Sequence, residues 1–231
     1  MAAENPVAVI TIDGPSGAGK STISRLLAAR LGFTYLDTGA MYRAVALAVA
    51  RQGVDPDDAA ALDRCLEAID LELRPKENDD VLVRLNGEDI SAAIRTPEMA
   101  LAASRISAHP RVRSKLTQLQ RELAGRGGVV AEGRDMGTVV FPRAAHKFYL
   151  DASPAERARR RCEQLRQRGE NPDYQEIMAQ IAKRDLDDSQ RALAPLKPAD
   201  DAVIVESSAM TPEAVVEFML ARIGNLATHG S

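Results

Sequence analysis

The chain has 231 residues, of which 45% are hydrophobic and 27% are charged, and its formal net charge is −3 at pH 7. This length is enough to bury a full hydrophobic core, either as one domain with insertions or as two small ones. The slightly negative charge excludes a global basic field of the kind that holds nucleic acid, so anion binding has to come from local clusters of arginine and lysine.

Cysteine usage and apolar patterning indicate the compartment. Cys65 and Cys162 are far apart in the sequence, and we interpret both as reduced thiols of a cytosolic protein. The first residues lack the basic region and apolar core of a signal peptide, and no apolar run approaches the roughly 20 residues that span a bilayer. We therefore expect a cytoplasmic protein without a membrane partner.

The first motif follows a β-rich stretch at residues 7–12. Residues 14–21 fit the pattern G-x-x-x-x-G-K-[S/T] at every fixed position, and apolar residues at helical spacing come next. Glycines let consecutive N–H groups point at one anion, and the following helix adds the positive end of its dipole. This context argues against a chance match. It predicts a nucleoside triphosphate site in which Lys20 reaches the β- and γ-phosphates and Ser21 ligates Mg²⁺.

The following segments alternate between strand and helix. Residues 33–36 predict a strand and residues 41–52 a helix that stops at Gly53. Asp55-Pro56 is typical of a cap for the next helix. Alternating apolar residues and the Asn86-Gly87 turn predict a small antiparallel sheet between about 70 and 91, inserted into an otherwise alternating chain.

The second half of the chain continues the alternation. Thr96-Pro97 opens a helix that His109-Pro110 breaks, and another helix then runs to a glycine-rich stretch at 125–128. Short apolar runs at 129–132, 147–151 and 202–206 predict three more strands, and Thr211-Pro212 caps a last helix. This pattern predicts a parallel sheet covered on both faces, with the phosphate loop at its carboxyl edge.

Two further stretches come where predicted strands end. In residues 37–43, Thr38 and Arg43 suit a second, smaller phosphate, or else form a helix cap followed by a surface arginine. In residues 132–137, Glu132 is placed near the water shell of a metal ion, beside Arg134 and Asp135. The alternative there is a glycine-rich turn with an internal Arg–Asp pair, but ligands of α/β proteins bind at this sheet edge, which favours a functional interpretation.

Two helical segments carry the remaining charges. At helical spacing one basic face comprises Arg157, Arg160, Arg161, Gln164 and Arg168. Clustered arginines suit the transition state of phosphoryl transfer, so this face and the loop at 169–172 suggest a lid. The alternatives are a solvated helix or an RNA-binding helix, the second disfavoured by few aromatic residues (3%) and by the negative charge.

A stripe on the next helix changes from apolar to ionic along its length. Its members are Ile177, Ile181, Arg184, Asp188 and Arg191. Such a face either runs out of the core into a polar cleft or forms an exposed salt-bridge ladder worth less than about 1 kcal/mol. The sequence pattern by itself leaves both open.

Together these motifs resemble those of bacterial cytidylate kinases. The resemblance rests on IDGPSGAGKS at 12–21, LDTGAMYR at 36–43, IRTPE at 94–98, HPRVR at 109–113, EGRDMGTVVFP at 132–142 and RALAPL at 191–196. The phosphate loop alone marks only a very large class of proteins. The EGRDMGTVVFP stretch with the inserted sheet is far more specific, and it points to this family rather than to adenylate or guanylate kinases.

The resemblance implies a P-loop NTPase-type α/β fold of three layers, with a five-stranded parallel core sheet, an inserted small antiparallel sheet and a helical lid. It implies a single domain over residues 1–231, with a core formed by residues 5–37, 126–154 and 196–226. A monophosphate-binding region would span residues 38–125 and the lid about 155–185. We expect a monomer.

The implied activity is transfer of the γ-phosphoryl group of ATP to CMP and dCMP, with Mg²⁺ and without a nucleic-acid partner. Another small acceptor such as UMP, AMP or shikimate is the alternative within the same class. A nucleotide-binding switch or a nucleic-acid-binding module is the alternative from another class, but the doubled set of anion-binding residues argues against it.

The resemblance also implies roles for individual residues. ATP would lie on Gly14, Pro15, Ser16, Gly17, Ala18, Gly19, Lys20, Ser21 and Thr22. The CMP phosphate would bind Arg43, Arg134 and Arg191 beside Thr38 and Tyr42, cytosine would contact Ser104, Arg113 and Asp135, and the sugar would contact Arg184 and Asp188. Catalytic charges would come from Lys20, Arg134, Arg157 and Arg161. Ser21 would ligate the metal, with the nearby carboxylate left open between Glu132 and Asp13. Thr38 stands where relatives often have serine, which keeps the hydroxyl.

Overall fold

The structure is a computed structural model that describes residues 8–76, 80–167 and 169–227. The expected core residues 5–7 and Arg168 of the basic face lie outside the described residues. The strands are β1 (Val9–Asp13), β2 (Thr34–Asp37), β3 (Leu71–Lys76), β4 (Asp80–Leu85), β5 (Glu88–Asp89), β6 (Val129–Gly133), β7 (His146–Asp151) and β8 (Val203–Glu206). The α-helices are α1 (Lys20–Leu31), α2 (Thr38–Arg51), α3 (Ala59–Glu67), α4 (Pro97–Ile106), α5 (Pro110–Ala124), α6 (Pro154–Gln167), α7 (Tyr174–Ser189) and α8 (Pro212–Ala227).

A five-stranded parallel sheet in the order β2-β6-β1-β7-β8 forms the middle layer. Every residue of β6 is buried, as expected for a parallel strand covered on both faces. Its alternate side chains enter two different hydrophobic cores. Val130 packs with Leu27 and Met219 of α1 and α8, whereas Val129 and Ala131 share a core with α2 and α5. The predicted three-layer α/β fold is confirmed.

The carboxyl edge of this sheet collects acidic side chains. In register, Asp13 of β1 lies beside Gly133 of β6, and Asp37 of β2 lies beside Glu132. The glycine loop leaves the sheet at this same edge, between β1 and α1. Because ligands of such sheets bind outside the carboxyl ends of the strands, this edge is where the site has to be built.

Two predicted helix starts are wrong by about one turn. Helix α2 begins at Thr38 rather than at residue 41, because the Asp37 carboxylate accepts a hydrogen bond from the Ala40 amide at 2.8 Å. Asp55-Pro56 does not cap α3. Asp58 does, by accepting from two amides of the first turn, and Asp55 forms a turn ahead of it.

The inserted sheet has the predicted antiparallel order β3-β4-β5. Asn86 and Gly87 both have positive φ values, 50° and 82°, as a tight two-residue hairpin turn requires. The inward side chains Val81, Val83 and Leu85 pack in the core that α2 also enters. The insertion is therefore part of the main body on the α2 side of the sheet.

Helices α6 and α7 pack on each other around a small core of their own. This core consists of Ala158, Cys162, Leu165, Ile177 and Ile181. The ionic end of the predicted stripe is shorter than expected, because α7 ends at Ser189 and Arg191 lies beyond it. Both cysteines are buried and free. In the part of the chain that the structure covers, no helix combines the length and apolarity needed to cross a membrane.

A single π-helical turn, Met136–Val140, directly after β6, is among the elements that were not predicted. It follows Asp135 and turns the chain back toward β7. Sequence periodicity gives no signal for such a turn, because it is only five residues long. The turn lies against the end of β1, and this places Asp135 near Asp13, the residue before the phosphate loop.

Candidate active site

The phosphate loop needs glycine at specific points. Gly14 has φ 150°, and a Cβ there would lie 2.0 Å from the carbonyl oxygen of Leu150. Gly17 has φ 80°, and its Cβ would lie 3.2 Å from the Cβ of Arg157. Side chains at either position would push the loop off β7 and α6. The loop is therefore wedged between the sheet and α6, with α1 beginning directly after Gly19.

Lys20 is buried at the base of the loop. Its Nζ donates to the carbonyl oxygen of Pro15 at 2.7 Å. Burial, followed by the nearby charge of Arg134, lowers the pKa of Lys20 to about 7. An anion bound in the loop would therefore stabilise the charged form of Lys20.

Ser21 and Tyr35 share one oxygen of Glu132. The hydroxyl groups of Ser21 and Tyr35 donate to Glu132 Oε1 at 2.7 and 2.5 Å. The other oxygen, Oε2, is buried and has no hydrogen-bond partner within the described residues. Burial, followed by the charge of Asp37, raises the pKa of Glu132. An unpaired buried carboxylate oxygen beside a hydroxyl is a fitting donor set for Mg²⁺ or its water shell.

Asp13 is oriented differently from Glu132. Its two oxygens accept from the amides of Met136 and Gly137, both at 2.8 Å. Each Asp13 oxygen thus accepts one hydrogen bond from the π-helical turn. Of the two carboxylates left open by the sequence, Glu132 is the one with a buried oxygen that has no hydrogen-bond partner among the described residues.

Four arginines lie close to one another near the phosphate loop: Arg43, Arg134, Arg184 and Arg191. Burial and the neighbouring charges, Arg134 first, lower the pKa of Arg184 to about 10. Arg184 Nη1 donates to Ser16 Oγ at 3.2 Å, so the cluster touches the phosphate loop directly. This excess of positive charge is suited to a second anion.

Asp188 holds two of these arginines in place. Its side chain is 1% exposed and accepts from Arg134 Nε at 2.8 Å and from Arg191 Nη2. Burial alone would raise the pKa of Asp188. The charges of Arg134 and Arg191 outweigh this effect and hold that pKa below its usual value. The ionic end of the predicted stripe therefore lines a cleft and is not an exposed ladder.

The stretch at 37–43 contributes both a cap and a cleft arginine. Asp37, not Thr38, caps the helix, and its second oxygen pairs with Arg43 Nη2 at 3.2 Å. Thr38 is buried, and its hydroxyl donates to the Glu132 carbonyl oxygen at 2.6 Å. Arg43 is largely covered and belongs to the arginine cluster, so the surface-arginine alternative is wrong.

Asp135 and Arg113 form a buried pair behind the arginine cluster. Burial raises the pKa of Asp135, and the charge of Arg113 opposes that rise. The Arg113 guanidinium also lies 5.8 Å from the centre of the Tyr42 ring. Ser104 Oγ accepts from Arg191 Nη2 at 3.3 Å, which connects this pair's surroundings to the arginine cluster.

The arginines on the basic face of α6 lie in different environments. Arg157 is buried beneath the loop, where its guanidinium donates to the carbonyl oxygens of Ala152 at 2.9 Å and Ser16 at 3.1 Å and pairs with Asp185 at 2.6 Å. Arg161 donates along the helix to Gln164 at 2.6 Å. The solvated-helix alternative is wrong for Arg157, whose side chain supports the loop.

Sequence reasoning missed several residues at the site. Arg160 was placed on the basic face but not among the catalytic residues, and it donates to the loop carbonyl of Ala18 at 3.3 Å and to the Ser207 carbonyl at 2.6 Å. Tyr35 and Asp185 had no motif, and nothing in their spacing singled them out. Thr22 is exposed on the first turn of α1.

A strand, a glycine loop and a helix form one candidate anion site, and a cluster of arginines that touches the loop forms a second. This arrangement defines a P-loop kinase, a phosphotransferase that binds a phosphate donor and an acceptor side by side. Residues 10–225 match the family model described as cytidylate kinase. The chain belongs to the cytidylate kinase family.

Individual cytidylate kinases agree with this assignment. The cytidylate kinase of Pasteurella multocida is 48% identical over 215 residues, which are 93% of this chain and 94% of that protein. That of Pelotomaculum thermopropionicum is 49% identical over 214 residues, 93% of this chain and 95% of that protein. A bifunctional pantoate ligase/cytidylate kinase of Prochlorococcus marinus is 50% identical over 213 residues, 92% of this chain but 42% of that protein. Among solved structures, a shikimate kinase from Bacteroides thetaiotaomicron aligns with a TM-score of 0.48 and 14% identity, over 96% of this chain and 99% of that chain.

Proposed function

We propose that the protein transfers the γ-phosphoryl group of ATP to CMP and dCMP, giving ADP and CDP or dCDP. The observation that carries the proposal is the contact between the two anion sites. Arg184 of the arginine cluster donates to Ser16 at the tip of the phosphate loop. Groups bound at the two sites would therefore meet at the same sheet edge, as direct transfer between them requires.

The donor would lie on the loop, residues 14–22, with its phosphates on the backbone amides. Its charge would compensate the buried Lys20, whose pKa is lowered to about 7 by burial and by Arg134. Ser21 and Glu132 would hold the Mg²⁺ ion, which supplies neutralisation of phosphate charge when it is bound. Arg157 would act by fixing the Ser16 carbonyl, which keeps the loop closed around the donor.

The acceptor phosphate would bind Arg43, Arg134 and Arg191 beside Thr38 and Tyr42, and the sugar would contact Arg184 and Asp188. The attacking atom is an oxygen of the acceptor phosphate itself, so no side-chain nucleophile is needed. The arginines would then act by positioning that oxygen and by neutralising charge that spreads over the transferred group.

The base would be distinguished by Asp135, Arg113 and Ser104. Cytosine presents an amine donor at the position where uracil presents a carbonyl. A buried carboxylate accepts from the amine and repels the carbonyl, so Asp135 favours cytosine strongly. Burial raises the pKa of Asp135, and the paired Arg113 guanidinium opposes that rise and so favours the ionised carboxylate.

We also propose the division of the chain stated above: one domain, with a monophosphate-binding region at 38–125 and a lid at about 155–185. Arg161, which donates to Gln164 in this structure, would reach the donor phosphates through a movement of α6. The protein would act as a monomer in the cytoplasm, which accords with its two buried free thiols.

A coupled assay of ADP release over CMP, dCMP, UMP, AMP and shikimate tests the proposal. We expect kcat/KM for CMP and dCMP to exceed the value for UMP by about two orders of magnitude or more. A parallel reaction without acceptor measures plain hydrolysis, which should be slow. Equal rates with UMP, or ADP release that does not depend on an acceptor, would overturn the assignment.

A further inference from the structure

We propose that Asp13 is a positioning residue for base recognition: it caps the π-helical turn at Met136 and so frees the Asp135 carboxylate for the acceptor base. The proposal rests on the proposed function and adds a residue to its specificity. Nothing in the phosphate-loop motif assigns a task to the acidic residue that precedes its first glycine.

The amides at the start of a helix have no carbonyl partner within that helix, and an aspartate directly before it usually accepts from them. Asp135 stands in that position before the turn Met136–Val140, with backbone angles φ −144° and ψ 22°. Its side chain does not bond to the amides of the described turn and pairs with Arg113 instead. Another acceptor has to satisfy the amides.

Asp13 supplies that acceptor from the neighbouring strand. One of its oxygens accepts from the Met136 amide and the other from the Gly137 amide, each at 2.8 Å. Asp13 is 3% exposed, so these bonds form away from water, where an amide left unpaired would be costly. Asp13, at the end of β1, thus accepts the hydrogen bonds that a capping Asp135 would otherwise accept.

The contact is also tight. A Cβ on Gly137 would lie 3.1 Å from Thr11 Oγ1, 3.2 Å from Lys147 Cδ and 3.4 Å from Asp13 Oδ2. The turn therefore lies directly on β1, and its position depends on the β1 side chains Thr11 and Asp13. Because Asp135 immediately precedes the turn, a shift of the turn moves the carboxylate that would contact the base.

Asp13→Asn tests this with little change of volume. The amide NH₂ group would face one of the two backbone N–H groups, so the turn would lose one bond and be pushed away. We expect the preference for CMP over UMP in kcat/KM to fall about tenfold or more, mainly through a higher KM for CMP. The KM for ATP should stay within about twofold, because both Asp13 oxygens face the turn and not the loop.

A double-mutant cycle separates positioning from general damage. If Asp13 acts through Asp135, the variant Asp13→Asn combined with Asp135→Asn should lose no more selectivity than Asp135→Asn alone. Losses that multiply would overturn the proposal. So would an unchanged CMP preference in Asp13→Asn.

The control is Thr11→Val. Thr11 lies two residues before Asp13 on the same face of β1, next to Gly137, and its hydroxyl has no hydrogen-bond partner among the described residues. It should keep the CMP preference; if it loses as much as Asp13→Asn, the effect comes from packing and the proposal is wrong. Should Asp13→Asn fail to fold, Gly137→Ala displaces the same turn by crowding Thr11 and Lys147, and it should lower the CMP preference while the KM for ATP is kept.

These results are distinct from a failure of the proposed function. If wild-type enzyme does not prefer CMP over UMP, the proposed function fails, and no variant is needed to show it. If wild-type enzyme prefers CMP and Asp13→Asn does so equally, only the role of Asp13 is lost.

Discussion

The two proposed phosphate sites are built from different chemical groups. The donor loop is one run of consecutive residues that uses glycine backbone and one buried lysine. The acceptor site is made of charged side chains from α2, from α5, from the end of β6 and from α7 with the segment after it. A backbone site can be recognised from a short motif, whereas a side-chain site exists only once the fold has brought distant segments together.

The two sites also carry different electrostatic costs. In the loop, the burial of Lys20 opposes its own charge. In the acceptor site, guanidinium groups face one another around Asp188, and burial with these like charges lowers the pKa of Arg184 to about 10. A phosphate bound at each site would relieve these costs, so the proposal implies that both sites are preorganised for anions at the expense of stability without ligand.

Lys20→Met should have the largest effect on the donor side. We expect turnover to fall by about two to three orders of magnitude or more, because the charge on the transferred group loses its buried partner. The Tm of the ligand-free protein should rise by about 2 °C or more, because a buried cation is replaced by an apolar side chain of similar length. Steady-state kinetics and a thermal melt measure the two effects.

The same variant should change how stability depends on pH. The folded-state pKa of Lys20 is lowered from 10.5 to about 7, so between these values the unfolded chain binds more protons. Wild-type stability from this group should therefore rise with pH above about 7, and Lys20→Met should lack that rise. Near-normal turnover in Lys20→Met, or a lower Tm, would contradict this description of the loop.

Asp135→Ala should have the largest effect on the acceptor side. It removes the carboxylate that would accept from the cytosine amine, and it leaves Arg113 buried without its partner. We expect the preference for CMP over UMP to fall by about two orders of magnitude while the KM for ATP changes little. Competition assays with both acceptors measure this, and an unchanged preference would show that the base is recognised elsewhere.

Asp188→Asn should affect both stability and acceptor binding. The substitution leaves Arg134 and Arg191 without their shared carboxylate, which is only 1% exposed. We expect a KM for CMP raised about tenfold and a Tm lowered by several degrees. Asp187→Asn is the matched control, because Asp187 is the half-exposed neighbour of Asp188 on α7 and pairs with Lys183 at 3.2 Å. Equal effects of the two substitutions would contradict the assigned geometry.

Tyr35→Phe should have the smallest effect. It removes one of the two hydroxyl groups that hold Glu132 Oε1 and leaves Ser21 in place. We expect the Mg²⁺ concentration for half-maximal rate to rise about three- to tenfold, with the preference for CMP unchanged. A magnesium titration of ADP release measures this. An unaltered titration would show that Glu132 does not act near the metal.

Local patterns predicted most of the architecture. Short apolar runs located the five core strands, and period-two alternation with Asn86-Gly87 identified the hairpin of the inserted sheet. The helix starts were less accurate, because Asp37 and Asp58 both lie near other residues that are equally good caps. Capping is decided by tertiary position as much as by residue type.

The candidate site was predictable as a set of residues but not as a set of contacts. Helical spacing puts Arg157 and Arg161 on the same face, yet packing buries the first under the loop and leaves the second along the helix. An acidic residue before the first loop glycine is equally compatible with a metal ligand and with the cap of a distant turn. Only the structure shows that Asp13 bonds to the Met136–Val140 turn.

The central claim is that two phosphate sites face each other at one sheet edge, and a bisubstrate compound tests it most directly. Cytidine and adenosine joined through a polyphosphate chain should bind far more tightly than ATP or CMP alone, since one molecule would fill both sites. Calorimetry should show one molecule bound per chain, displaced by ATP and by CMP, and the uridine analogue should bind more weakly. Affinity no better than that of ATP, or a failure of CMP to displace the compound, would contradict the account.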